Sequence, residues 1–166
     1  MAVDYTLLIQ SNELTNEMLL HQLKEMGLTC DKPVFLEKGV EINQFQNIIG
    51  LTIFLIDSGN PPYDAYDFDF LNKEFKYEKS LIFHLNKDFE DFHTRWKTMV
   101  TIVFSLMNQI KTNAIFAFET DVPYCLFTKN HELYINTQTD IWNNPYFRNY
   151  SSNWKCFDIK NSVINL

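Results

Sequence analysis

An α+β fold, with a largely antiparallel sheet, two main helices packed on one face and an aromatic segment capping the C-terminal end, is what the sequence predicts. Three observations carry that expectation. Short apolar runs rich in strand formers recur along the chain, among them DYTLLI at 4–9, IIGLTIFLID at 48–57 and AIFAF at 114–118. Two stretches, 15–26 and 88–112, switch to helical spacing of their apolar residues. The runs after residue 112 are separated by short turns, which join antiparallel neighbours, whereas parallel neighbours need long crossovers. A chain of 166 residues fits a single domain over 1–166.

The elements follow in order. Residues 4–9 read as a strand ended by Ser11-Asn12. Between 15 and 26, Leu19, Leu23 and Met26 share one helical face. Thr15 is placed to cap that helix, Glu17 suits its positive end, and Gly27 suits its left-handed stop. Residues 34–45 alternate weakly around Lys38-Gly39 and read as a hairpin. The run 48–57 is apolar on both faces, as a central strand is. Ser58-Gly59-Asn60-Pro61-Pro62 stops regular structure, and 75–85 resumes as a strand. The longest helix is expected over 88–112, where Phe89, Phe92, Trp96, Met99, Val103, Leu106 and Ile110 form one stripe. Asp88 is its expected N-cap, with Asp91 completing a capping box. Ile102, Phe104 and Met107 widen the stripe, so the second half of the helix should be buried on most sides. Strands at 114–118, 124–127 and 132–136 follow. Residues 139–150 then read as a short helix or ordered loop laid over the sheet.

Composition narrows the function. Lys plus Arg number 14 and Asp plus Glu 21, a net charge of −7. An acidic surface repels phosphate backbones and anionic lipid, so no direct nucleic-acid or membrane partner is expected; a basic protein is the partner it would attract. Three cysteines without a CxxC spacing suggest neither a disulfide framework nor a zinc site. No basic-then-apolar leader opens the chain and no apolar run approaches the ~20 residues of a membrane span, so a cytoplasmic location is expected.

Motifs of catalysis are sparse. The histidines, His21, His84, His93 and His131, do not fall at metalloprotease spacing, and four glycines leave little from which to build a phosphate loop. Neither a metal nor a cofactor is expected. Glu119 and Asp121, with His131, are the residues an enzyme of unfamiliar type would use; a polar strand end leading into a turn explains the carboxylates equally. The segment 63–70 is different in kind. Its aromatics Tyr63, Tyr66, Phe68 and Phe70 are interleaved with Asp64, Asp67 and Asp69, and no basic residue lies between Asp57 and Asn72. Such a segment either folds back over the core or offers aromatic anchors ringed by carboxylates to a basic partner. On the second reading Tyr63, Asp64, Tyr66, Asp67, Phe68 and Asp69 are the partner-binding residues.

The opening DYTLLI, a helix starting at LTNE, a long helix near KDFEDF, then AIFAFE, and NHELYIN before a Trp together resemble the third class of Sit immunity proteins. These are small bacterial proteins that protect a cell against polymorphic toxins delivered by its kin. The likeness spans most of the chain but is carried by the elements flanking 34–75, not by that region. It implies a cytoplasmic, non-catalytic immunity protein that binds a cognate toxin domain, one delivered by contact-dependent inhibition, and occludes its active site. A nuclease toxin would present a basic surface to this acidic one. The alternative is a structural or regulatory subunit of another complex using the same acidic segment.

Overall fold

The computed structural model describes residues 3–161 and 163–166. Its centre is a nine-stranded sheet. In chain order the strands and helices are β1 Val3–Ile9, α1 Asn16–Glu25, β2 Val34–Leu36, β3 Gly39–Ile42, α2 Gln46–Ile49 and β4 Leu51–Asp57. There follow β5 Ala65–Tyr66, β6 Phe75–Lys76, β7 Lys79–Leu85, α3 Phe92–Met107, β8 Ala114–Phe118, β9 Val122–Phe127 and β10 Glu132–Ile135. The last are α4 Pro145–Ser151 and β11 Lys155–Asp158. The sheet order is β11-β10-β9-β8-β1-β7-β4-β3-β2, with β5 and β6 forming a separate pair. Within the large sheet only β10 and β11 run parallel.

Local chemistry sets the first helix as its sequence predicts. The Thr15 hydroxyl accepts from Met18 N at 3.2 Å. At the other end Gly27 adopts φ +77°, and Leu28 N and Gly27 N donate back to Leu23 O and Lys24 O at 2.8 and 2.9 Å, satisfying carbonyls that would otherwise lack partners.

The long helix is shorter than its apolar stripe. It begins at Phe92, capped by Asp91 rather than Asp88, because the Asp91 carboxylate accepts from Thr94 N at 2.9 Å and from the Thr94 hydroxyl at 2.6 Å. It ends at Met107, since Asn108–Thr112 turns into β8. Phe92 consequently lies half in solvent, while Trp96, Met99, Val103 and Leu106 are buried. Ile102, Phe104 and Met107 are buried too, so the second half of the helix is enclosed as expected. Elsewhere the run 48–57 is a helical turn before it is a strand, and 75–85 divides into β6 and β7.

Alternation along each strand divides the core in two. Leu7, Ile9, Ile53, Leu55, Leu81, Phe83, Phe116 and Phe127 point to one face, where α1, α3 and α4 cover them. There Phe104 of α3 meets Phe147 and Tyr150 of α4 at 5.4 and 5.6 Å between ring centroids, and Phe127 meets Trp154 at 5.1 Å. The aromatic C-terminal segment thus caps the helix-bearing face. On the opposite face a cross-strand row runs Leu36, Gly39, Ile56, Ser80, Leu8, Ile115, Leu126, Tyr134, Phe157. The middle of that row is roofed by a second cluster, in which Phe68, Phe75, Ile159 and Ile164 pack on Leu8, Ile115 and Leu126. The roof comes from the β4–β7 connection and the chain's last residues, which join where Ile164 N donates to Phe70 O at 2.8 Å.

Candidate functional site

The acidic, aromatic segment belongs to this roof. Its base is closed by backbone bonds from Ser58 N to Glu78 O, Tyr77 N to Asp64 O and Glu78 N to Ile9 O, at 2.8, 2.9 and 2.8 Å. Tyr66 stacks on Tyr77 with centroids 5.7 Å apart, and the Tyr77 hydroxyl donates to Tyr63 O at 2.8 Å. Burial holds the Tyr77 phenol above its ordinary pKa.

Past β5 the chain enters a turn, closed where Leu71 N donates to Phe68 O at 2.9 Å. Phe68 turns inward, 9% exposed, with Phe70 at 5.5 Å and Phe75 at 6.4 Å. Asp67 and Asp69 turn out to solvent. The six sequence-predicted residues therefore divide. Tyr63 and Tyr66 are exposed rings, Asp67 and Asp69 exposed carboxylates, Asp64 is half-buried at the base, and Phe68 is a core residue that fastens the others in place.

Asp67 and Asp69 line an open cleft of about 630 Å³ with Phe68 and Phe70. Its other walls are Asp121 and Pro123 from the β8–β9 connection, Asn136 and Gln138 after β10, and Ile159, Lys160 and Val163 near the end of the chain. The β8–β9 turn is made by Glu119 and Thr120 in left-handed backbone, φ 47° and 63°, which carries Asp121 to the rim. Lys160 is set by Asp158, whose carboxylate accepts from the Thr137 hydroxyl at 2.6 Å and from Lys160 N at 3.0 Å. Those two bonds, the hydroxyl first, hold the Asp158 carboxyl below its ordinary pKa. Three carboxylates against one ammonium make the cleft acidic, and its floor is aromatic.

Asp121, Lys160, Asn136 and Gln138 reach this cleft from elements remote in sequence, so no local signal marks them as neighbours of Asp67. Glu119, Asp121 and His131 are not brought together. Asp121 precedes β9 and His131 follows it, stacked on Trp154 at 3.9 Å, and six strand residues separate ends by roughly 20 Å. Among the described residues no three His, Cys, Asp or Glu side chains are grouped to hold a metal ion. No helix among the described residues is long and apolar enough to cross a membrane.

In comparison with known proteins, the sequence model of the SitI3-like family matches residues 3–145. The match takes in the acidic segment as well as the elements around it. No curated protein and no solved structure matches the chain.

Proposed function

The chain belongs to the SitI3-like family, and we propose on that footing that it is an immunity protein, which binds a cognate toxin and occludes the toxin's active site. The family match over residues 3–145 carries this reading. Inhibition of this kind needs no chemistry from the inhibitor, only an interface of roughly 800 Å² per partner with a few anchors. The acidic cleft supports a location for it. Asp67, Asp69 and Asp121 are spread around an aromatic floor, an arrangement suited to the Lys and Arg side chains of a broad basic surface. A nuclease toxin, which must hold phosphates, carries such a surface. Tyr63 and Tyr66 stand beside the carboxylates as rigid rings able to enter a partner's pockets.

Co-expression with the toxin encoded beside this protein, scored by growth and by size-exclusion chromatography, tests the proposal. Growth rescue with a stable complex is expected. Toxicity undiminished at matched expression, with the two proteins eluting separately, would overturn it.

A further inference from the structure

Arg95 lies on the first turns of α3 and is 5% exposed. Its guanidinium sits over the rings of Phe89 and Phe92, 5.9 and 5.6 Å from their centroids, and one terminal nitrogen donates to the Asn86 carbonyl. Its Nε is buried without an acceptor. The ion pairs among the described residues are Lys79–Asp57, His84–Asp4 and Lys155–Glu132, so Arg95 has no counter-charge within 4.0 Å. Asp91, one helical turn earlier, directs its oxygens to Thr94. A guanidinium carries five N–H donors and stays protonated, and a buried cation left unpaired is strongly unfavourable.

The same side chain lines a cleft of about 470 Å³ on the helix-bearing side of the sheet. The other lining residues are Lys87, from the β7–α3 connection, and Val3, Tyr5, Leu85, Phe92 and Phe118. Among the described residues that line this space there are two cations and no carboxylate, in a chain whose net charge is −7; the charges of Asp140 and Glu119 are felt at Tyr5, and that of Asp91 at Arg95. The remaining wall is aromatic and aliphatic.

We propose that this cleft binds a carboxylate carried on an apolar body, with Arg95 and Lys87 taking the anion and Tyr5, Phe92 and Phe118 the body. The planar fork of a guanidinium matches the two oxygens of a carboxylate, and an apolar wall with few convergent polar groups is what small-ligand sites share. The ligand is either a free small acid or the terminal carboxylate of a chain ending in an apolar residue. The site is separate from the acidic cleft, and its test does not involve a toxin.

Calorimetric titration of the intact protein with 3-phenylpropanoate, and with a tetrapeptide ending in Phe, each beside its amide, tests the proposal. The Nε–H resonance of Arg95 is followed by NMR in the same titrations. At least one acid should bind about tenfold or more tighter than its amide and shift the Arg95 resonance, since a charge-assisted bond is lost in the amide. Lys87→Met, at an exposed position that should leave folding intact, should weaken that acid several-fold. Tighter binding of the peptide assigns the ligand to a chain terminus, and tighter binding of the free acid to a small molecule; both uphold the site. Acid and amide binding alike, no saturable binding of either acid, an unmoved Arg95 resonance, or equal affinity in Lys87→Met would overturn it.

Discussion

Phe68 meets Phe75 edge-on, their ring planes at 76° and their centroids 6.4 Å apart, and this contact joins the acidic segment to β6 within the cluster that packs on Leu8, Ile115 and Leu126 of the sheet. Phe68→Ala should lower the urea-unfolding free energy by about 3–5 kcal/mol, the usual range for a buried Phe in a core that only partly collapses. Proteolysis within 63–70 should rise with it. An unchanged urea midpoint would show that the segment is held by its backbone bonds alone.

Carboxylates on the cleft should act on the rate of encounter more than on folding. Replacing Asp67, Asp69 and Asp121 together by Asn should slow association with the toxin about tenfold at low salt. The rates of variant and parent should converge as salt screens the interaction. Stopped-flow measurement over a salt series reads both effects. Parallel salt dependences for the two proteins would place the contact elsewhere.

The cap of α3 should respond to acid. Hydrogen bonds from the Thr94 hydroxyl and backbone N–H, the hydroxyl first, hold the Asp91 carboxyl below its ordinary pKa. Its folded value is thus below its unfolded one. The stabilisation is complete above the unfolded value, about 4, and is lost as pH falls through the folded value. Asp91→Asn can still cap but does not titrate, so its Tm should fall less than the parent's between pH 7 and pH 3. Equal falls would remove Asp91 from the acid response.

Thiol chemistry should separate the cysteines. Cys125 is fully buried, and burial pushes its thiol pKa well up. Cys156 is exposed, its thiol raised less far by the same cause. A thiol reagent at pH 8 should label Cys156 in the native protein and Cys125 only through unfolding, so that Cys125 labelling slows as stability rises. Native labelling of Cys125 at the rate of Cys156 would contradict this burial.

Two glycines should differ in what an added methyl does. A Cβ at Gly39 would stand 2.0 Å from the Leu55 carbonyl oxygen, in a strand backbone that has nowhere to retreat. Gly27 has open space around it but a left-handed φ of +77°. Gly39→Ala should cost about 2–4 kcal/mol and displace the β2–β3 hairpin, whereas Gly27→Ala should cost about 1 kcal/mol from backbone strain alone. Comparable unfolding midpoints for the two variants would refute the distinction.

Much of the fold is legible in local patterns because local physics decides it. Thr15 and Gly27 bound α1, and the stripe through Trp96, Met99, Val103 and Leu106 marks the buried side of α3. The exact start of α3 is less legible, because Asp88 and Asp91 are both competent caps and only the position of Thr94 chooses between them. The second core is hidden for another reason. Phe68, Phe75, Ile159 and Ile164 lie in irregular or very short elements, and nothing in their own neighbourhoods says that they converge on Leu8. The parallel pairing of β11 with β10 is equally non-local. For the candidate site, the alternation of rings and carboxylates flagged 63–70, but not that Phe68 faces inward while its neighbours meet Asp121 and Lys160.

The position of β1 bears on how the chain acquires its shape. That strand is the centre of the sheet, yet its two neighbours are β7, residues 79–85, and β8, residues 114–118. Its ladders cannot close until residues 85 and 118, respectively, have left the ribosome, and the loops they close are long. Topologies of this kind fold slowly for their size, because chain entropy is surrendered before the pairing that compensates it. A newly made copy would therefore be incomplete, and open to proteases and chaperones, until residue 118 and the strands beyond it have been synthesised and paired. Only then would it be competent to bind.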